Sequence, residues 1–149
     1  MQFRILSAFV LSSAFALGGC STTASLFPAE GPLREMKPPP VLVATVSGIT
    51  SNSGPFSLTY PNNDKCEGKW ASLAPQIASV SWGNLFSRYG AKAGVTTSVT
   101  GLPGINRGEA MAICASGNRV QVEFFTGSGT ASGTGIAKDD LGNVFKLIF

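Results

Sequence analysis

One pattern of apolar and polar positions occurs twice in the last third of the chain. Laid over Gly133–Phe149, the segment Gly108–Phe124 matches Gly108 with Gly133, Ala112 with Ala137, Gly117-Asn118 with Gly142-Asn143, and Phe124 with Phe149. Val120, Val122 and Phe124 alternate in one copy as Phe145, Leu147 and Phe149 do in the other, and a period of two puts each trio on one face of a strand. Each copy therefore predicts a β-hairpin that turns on Gly-Asn. A looser third copy, Gly54–Trp70, places Phe56, Leu58 and Tyr60 before Asn62-Asn63-Asp64 and Cys66, Gly68 and Trp70 after it. Asn63 and Asp64 stand in for Gly-Asn there, because Asn and Asp tolerate positive φ and hydrogen-bond their own backbone.

The remaining segments read less regularly. Val41–Val46 is β-branched and apolar and ends at Gly48, which predicts a strand. Between the hairpins, Ala71–Arg107 holds one helical stretch. Ile77, Val80, Ser81, Leu85, Phe86 and Tyr89 share a face, Pro75 suits a first turn and Gly90 a C-terminal cap. Val95–Thr100 follows as a short strand, and Gly101–Gly104 as a turn. Upstream, residues 20–40 contain Pro28, Pro32 and the run Pro38–Pro40, which predicts an extended tether rather than part of the fold. Docking of its Leu26, Phe27, Leu33 and Met36 on the domain is the alternative. Residues 41–149 are thus expected to form a single, mainly β domain, an antiparallel meander of hairpins with one accessory helix.

The segment Asn62-Asn63-Asp64-Lys65-Cys66-Glu67-Gly68-Lys69-Trp70 resembles the MORN repeat, in which a Gly-Asp or Gly-Asn turn precedes an aromatic, Glu, Gly and a second aromatic. Gly133-Thr134-Gly135, followed by Gly142-Asn143-Val144-Phe145 and Phe149, is similar to it as well. Cys66 and Val120 depart from the pattern by standing where it has an aromatic. The resemblance implies stacked hairpins in an elongated curved sheet and a scaffolding role; a small closed barrel is the other form such a meander takes.

The N-terminus is organised differently. Arg4 precedes an apolar run, Ile5–Leu17, that is too short to span a bilayer and closes on Leu17-Gly18-Gly19-Cys20. This order resembles the lipobox of bacterial lipoprotein signal peptides. The resemblance implies cleavage before Cys20, a diacylglycerol on its sulfur and an acyl group on its new amine, so that residues 1–19 are a signal peptide. Several chains, at about 0.8 kcal/mol per buried methylene, anchor a protein firmly without spanning the membrane. In the Gram-negative sorting pattern Asp after the Cys favours the inner membrane, and here the residue is Ser21. The expected location is the outer membrane, lipid-anchored and facing the periplasm.

Removal of residues 1–19 leaves 130 of the 149, enough for one core. Ten basic side chains then stand against eight acidic ones, a balance of +2 that argues for neither nucleic acid nor an anionic surface. Charged residues make up 13% of the whole chain, about half the usual share, with 18 Gly and 9 Pro, a composition suited to a turn-rich β protein. With Cys20 lipidated, Cys66 and Cys114 remain as an even pair in an oxidising compartment and predict a disulfide. On the chain-entropy model such a loop, roughly 50 residues, stabilises by roughly 4 kcal/mol.

Candidate chemistry is sparse. The chain has no His, which excludes Ser-His-Asp, Cys-His and His-ligated metal sites. Asp139-Asp140 lies where the repeat calls for a polar turn, and Glu67 with Glu109 or Glu123 form a carboxylate pair only if the fold joins them. Gly127-Ser128-Gly129 and Gly133-Thr134-Gly135 precede a strand rather than the helix a phosphate cradle needs. No catalytic residue, metal or cofactor is assigned. Phe124 and Phe125 are adjacent, so they face opposite ways, and an outward Phe125 beside Arg119 or Arg107 is a candidate partner contact. These features point to a non-catalytic binding or structural module of the cell envelope whose partner is another envelope protein. Two alternatives stand beside it: a hydrolase with a carboxylate or Ser site, and a small β-barrel inhibitor of a cell-wall enzyme, similar to periplasmic lysozyme inhibitors in size, export and disulfide only.

Overall fold

The computed structural model describes residues 20–73, 85–90, 92–94, 105–127, 129–130 and 132–149. Eight antiparallel strands follow one another around a closed barrel: β1 (Ser21–Glu30), β2 (Leu42–Ser47), β3 (Ser53–Thr59), β4 (Lys65–Leu73), β5 (Ile105–Cys114), β6 (Arg119–Gly127), β7 (Gly133–Asp139) and β8 (Val144–Ile148). Among the described residues two short helices complete it, α1 (Pro32–Glu35) between β1 and β2 and α2 (Leu85–Tyr89) between β4 and β5. Neither is long and apolar enough to cross a membrane. The mainly β meander is as the hydrophobic pattern predicts. Its form is the closed one, because β1 pairs with β8 through Ser25↔Ile148, Leu26↔Leu147 and Phe27↔Lys146, so the sheet does not run on as the elongated array a MORN resemblance implies.

That closing strand is the main correction to the sequence reading. Residues 20–40 are not a tether, and the fold begins at Ser21 rather than Val41. Within β1, Ala24 and Leu26 are buried while Thr23 and Phe27 face outward, the alternation of a half-buried strand. Proline content averaged over the segment hides this alternation. Pro28 is the only proline in β1 and sits beside a break in register between Pro28 and Glu30, where a missing amide hydrogen does least harm. The other prolines fall in α1 and the link to β2. Of the four apolar residues there, Leu26 lies in the core and Leu33 packs against it, whereas Phe27 and Met36 are exposed.

Inward positions hold the core: Leu42, Phe56, Leu58, Val120, Val122, Phe145 and Leu147, with Ala24, Ala44, Ala110, Ala112 and Ala137 between them. On β7 the adjacent Ile136 and Ala137 are both fully buried, which requires cover on both faces of the sheet. The outer cover comes from α2, where Leu85, Tyr89 and the following Ala93 pack over Ile136, Val144 and Phe125. Leu85 and Tyr89 thus do the work expected of the accessory helix; the rest of that expected helix before Leu85, the strand Val95–Thr100 and the turn Gly101–Gly104 lie outside the described residues.

The three sequence copies are three hairpins of one geometry. In each, the residue before the turn donates its N–H to the carbonyl four residues on: Tyr60 to Asp64 (3.0 Å), Cys114 to Asn118 (2.8 Å) and Asp139 to Asn143 (3.1 Å). The left-handed position is Asn63 (φ 60), Gly117 (φ 88) or Gly142 (φ 89), as a three-residue hairpin loop demands. Beyond the turns, each copy sets a Gly opposite an aromatic. Gly54 faces Trp70, Gly108 faces Phe124, and Gly133 exchanges backbone bonds with Phe149. A Cβ on Gly108 would run into the Phe124 ring, so the glycines make room for the aromatics.

A Cβ at Gly117 or Gly142 would meet nothing within 4 Å, so substitution there tests backbone conformation alone. Gly117→Val and Gly142→Val should each lower stability by about 1–3 kcal/mol. The corresponding Asn variants should lose less, since Asn63 already adopts this conformation. Thermal melts check both statements, and two Val variants that melt like wild type would show the turns to be unconstrained.

Candidate functional site

The antiparallel order separates the connections into two kinds. The tight turns β3–β4, β5–β6 and β7–β8 and the α1 link lie at one end of the barrel. Cys20, the β2–β3 loop, the last residues of β4 and β6, the first of β5 and β7, and Phe149 all belong to the other. The two ends differ in chemistry as a result.

At the tight-turn end the barrel is sealed by a polar network. The Tyr60 hydroxyl donates to Asp139 Oδ2 at 2.7 Å, the Asn143 amide Nδ2 donates to the same oxygen at 2.8 Å, and the Asn143 backbone N–H donates to Asp139 Oδ1 at 2.8 Å. Asn143 Oδ1 in turn accepts from the Leu33 N–H at 2.9 Å, which fastens α1 across the opening. Asp139 and Asn143 are almost wholly buried. Burial first, then the hydrogen bond and charge of Asp139, push the Tyr60 phenol far above its ordinary value, against a smaller opposing contact from Asn118. Three donors satisfy the Asp139 carboxylate, and together they lock this end of the barrel.

The other end opens into a cavity of about 400 Å³. Its floor is the row of aromatics that the facing glycines admit: Trp70 and Phe124 meet edge to face at 6.4 Å between centroids, and Phe124 and Phe149 at 5.7 Å. Phe56, Val122 and Leu147 lie among them, and Ala24 and Ala110 leave the space open by being small. The Trp70 indole N–H is spent on the Ser47 carbonyl (2.7 Å). Around the mouth stand Thr22, Ile49, Thr50, Asn52, Asn106 and Thr126. Among the described lining residues no side chain is charged. A cavity of this size with an apolar floor and neutral polar rim suits an apolar ligand with one polar end.

Cys20 is part of this lining and is exposed. Its carbonyl accepts the Gly48 N–H at 3.1 Å, and β1 starts at the next residue. Cys66 and Cys114 pair across β4–β5 at the opposite end, with Cα atoms 3.7 Å apart and sulfurs at disulfide distance. The turn residues Asp64 and Asn118 add bonds between neighbouring turns: Asp64 accepts from the Ser116 hydroxyl and N–H, and Asn118 Oδ1 accepts from the Asp140 N–H at 3.2 Å.

Other expected groupings are formed only in part. Phe125 does point away from the core, but it packs in the α2 cluster, beneath the Arg107 guanidinium at 5.9 Å. Arg119 lies six residues away at the far end of β6, exposed and paired with Asp140 at 2.8 Å, so it does not stand beside Phe125. Large exposed apolar side chains gather instead on the outer face of β8, β1 and β2, where Ile148 and Val43 flank Ser25 and Phe27 follows. Asp139 is no mere turn residue, since it carries the sealing network. Glu67 is exposed on β4, away from the other acids, whereas Glu109 and Glu123 stand directly opposite each other on β5 and β6. Glu123 is buried under α2, where it pairs with Arg107 (3.5 Å) and accepts from the Leu85 N–H (3.4 Å). No three His, Cys, Asp or Glu come together as metal ligands among the described residues.

The chain matches no family model, and the searches of curated proteins and of solved structures return no match either. Sequence reasoning missed the cavity altogether. Its signal was the run of small residues at inward positions, Thr22 and Ala24 on β1 and Gly108, Ala110 and Ala112 on β5, beside the aromatics of neighbouring strands.

The Tyr60 network yields a pH prediction. The folded state holds the phenolic proton more tightly than the unfolded chain, whose tyrosine loses it near pH 10. The contribution to stability is therefore complete below about pH 10 and is lost as pH rises beyond it. Tyr60→Phe should cost about 1–3 kcal/mol at neutral pH, because Asp139 loses a donor, and should flatten the alkaline fall in stability. Denaturant unfolding at pH 7 and at pH 10 to 11 measures both; equal alkaline slopes for the two proteins would count against the network.

Proposed function

We propose that this protein is a lipid-anchored module of the bacterial cell envelope, held at the outer membrane through Cys20, that binds an apolar ligand at the open end of its barrel without acting on it chemically. The observation that carries this reading is the contrast between the two ends: one sealed by hydrogen bonds, the other opening into an aromatic-floored cavity. Hydroxyl, amide and ring groups in the lining suit binding and orientation by contact. The lipobox-like run before Cys20 supports the anchor, and the place of Cys20 on the rim is consistent with a modified residue, since its side chain is exposed.

A second reading, hydrolysis by Glu109 and Glu123, draws on their direct opposition across β5–β6. The ion pair and amide bond at Glu123 favour a structural role for that residue, holding α2 to the barrel.

Two measurements test the main reading. Radioactive fatty acid should label the wild-type protein and not Cys20→Ala, which should leave the membrane if still processed; unchanged labelling removes the anchor. The fluorescent apolar probe N-phenyl-1-naphthylamine should bind the protein saturably, at one per chain. Phe149→Ala should weaken this binding roughly tenfold, the loss of about 1.4 kcal/mol of ring contact, while Ile148→Ser on the outer face should leave it intact. Absence of saturable binding would remove the ligand site.

A further inference from the structure

The anchor and the cavity share a residue, and from this we infer the class of ligand: a single acyl chain of a bilayer lipid, entering the barrel from the membrane through the mouth that Cys20 holds against it. The inference rests on the proposed lipid-anchored binding module and deepens it.

Geometry supplies the first argument. Cys20 lines the cavity, its carbonyl is fixed by the Gly48 N–H, and Ser21 is already paired with Ser47 in the barrel wall. No linker separates the lipidated atoms from the rim. A diacylglyceryl group on Cys20 Sγ therefore brings the glycerol level of the bilayer to the mouth itself. On a flexible tether the domain would turn freely, whereas here the open end is the end that meets the lipid.

The chemistry of the lining supplies the second. Thr22, Thr50, Asn52, Asn106 and Thr126 give the rim hydroxyls and amides, which suit the ester zone of a bilayer, and the described lining places no charge there to be desolvated. Deeper in, Phe56, Phe124, Phe149, Leu147 and Ala110 present hydrocarbon, and the Trp70 N–H is already satisfied. A polar head finds partners only at the rim, and a chain finds none but apolar ones below it. The amphiphile's two parts are thus matched in the order in which a membrane presents them.

Energetics favours the bilayer as the source. Drawing a chain from water into the cavity would be favourable for every methylene buried, but free chains in water are rare for the same reason. Exchange from bilayer to cavity is near neutral, so it needs only a path that avoids water, which a mouth lying on the membrane provides. A chain of the Cys20 anchor itself would start from the same place, yet each anchor chain turned inward is one fewer holding the protein to the membrane. A neighbouring lipid carries no such penalty.

Trp70 lies in the cavity wall and the chain has only one other tryptophan, Trp82, so Trp82→Phe makes Trp70 the sole reporter. Lipidated protein with this change is placed in phosphatidylcholine vesicles with and without bromine at mid-chain. In parallel, residues 20–149 with Cys20→Ser, which retain all eight strands, are titrated with a brominated fatty acid. The expected result is loss of Trp70 emission in both experiments, and its recovery in vesicles when Ala110→Phe or the milder Ala24→Leu fills the cavity while the protein stays membrane-bound. Quenching in vesicles that neither filling variant relieves would mean that Trp70 senses the bilayer from outside, and overturns the inference. Quenching of the soluble protein alone, with none in vesicles, would also overturn it, leaving the apolar site but with its mouth turned away or filled by the anchor's own chain. No quenching of the soluble protein would instead remove the apolar-ligand reading on which the inference stands.

Discussion

The pairing of β1 with β8 is the constraint on which the rest of this structure depends. Until it forms, the hairpins make an open sheet with two edges whose amides and carbonyls need partners, and one apolar face with nothing to cover it. Once it forms, Leu26 and Leu147 stand side by side, every strand has two neighbours, and the face carrying Phe56, Val122 and Phe145 becomes an interior. Closure also fixes what the interior can hold. Eight strands leave a space that side chains just fill, so each inward position must be matched in size to those around it. The glycines opposite Trp70, Phe124 and Phe149 are that matching at one level of the barrel, and the alanines beside them are where it leaves a cavity.

How much of this was legible follows from which interactions are local. The three hairpins could be read because turn, alternation and facing residues lie within seventeen positions of one another, and the structure gives them one hydrogen-bond pattern. The pairing of β1 with β8 was not legible, because it joins residues more than a hundred positions apart and its strand lies in a proline-rich stretch. Only the alternation of Ala24 and Leu26 with Thr23 and Phe27 betrayed it. The same limit explains the candidate site. A cavity is made by what several strands fail to fill, and no single segment of sequence states that. Asp139 was misread for a related reason: as one half of Asp139-Asp140 it looks like turn chemistry, but period two sends it inward to Tyr60 while Asp140 goes outward to Arg119.

The division of labour between the two ends has a physical logic. Burying a carboxylate without a cation is costly unless donors converge on it. Asp139 meets this condition because tight turns hold Asn143 and the end of β3 holds Tyr60 within reach. Such a network tolerates little movement, and the disulfide-distance pair Cys66 and Cys114 lies at the same end. At the opposite end stand Cys20, the β2–β3 loop and Phe149, around the cavity. A sealed end and an open one are thus set at opposite poles by the odd-even order of an antiparallel meander.

That order also sets Cys20 directly against the barrel wall. Because β1 both follows Cys20 directly and closes the barrel, a force applied at Cys20, as under the proposed anchoring, would act along the strand whose loss would open the sheet. Two sets of ladder bonds, to β2 and to β8, hold that strand in place, and the Leu33 N–H bond to Asn143 secures its far end through α1. The strand that follows Cys20 is also a wall of the cavity, with Thr22 and Ala24 in its lining. Closure of the barrel and the wall of the cavity therefore both draw on β1.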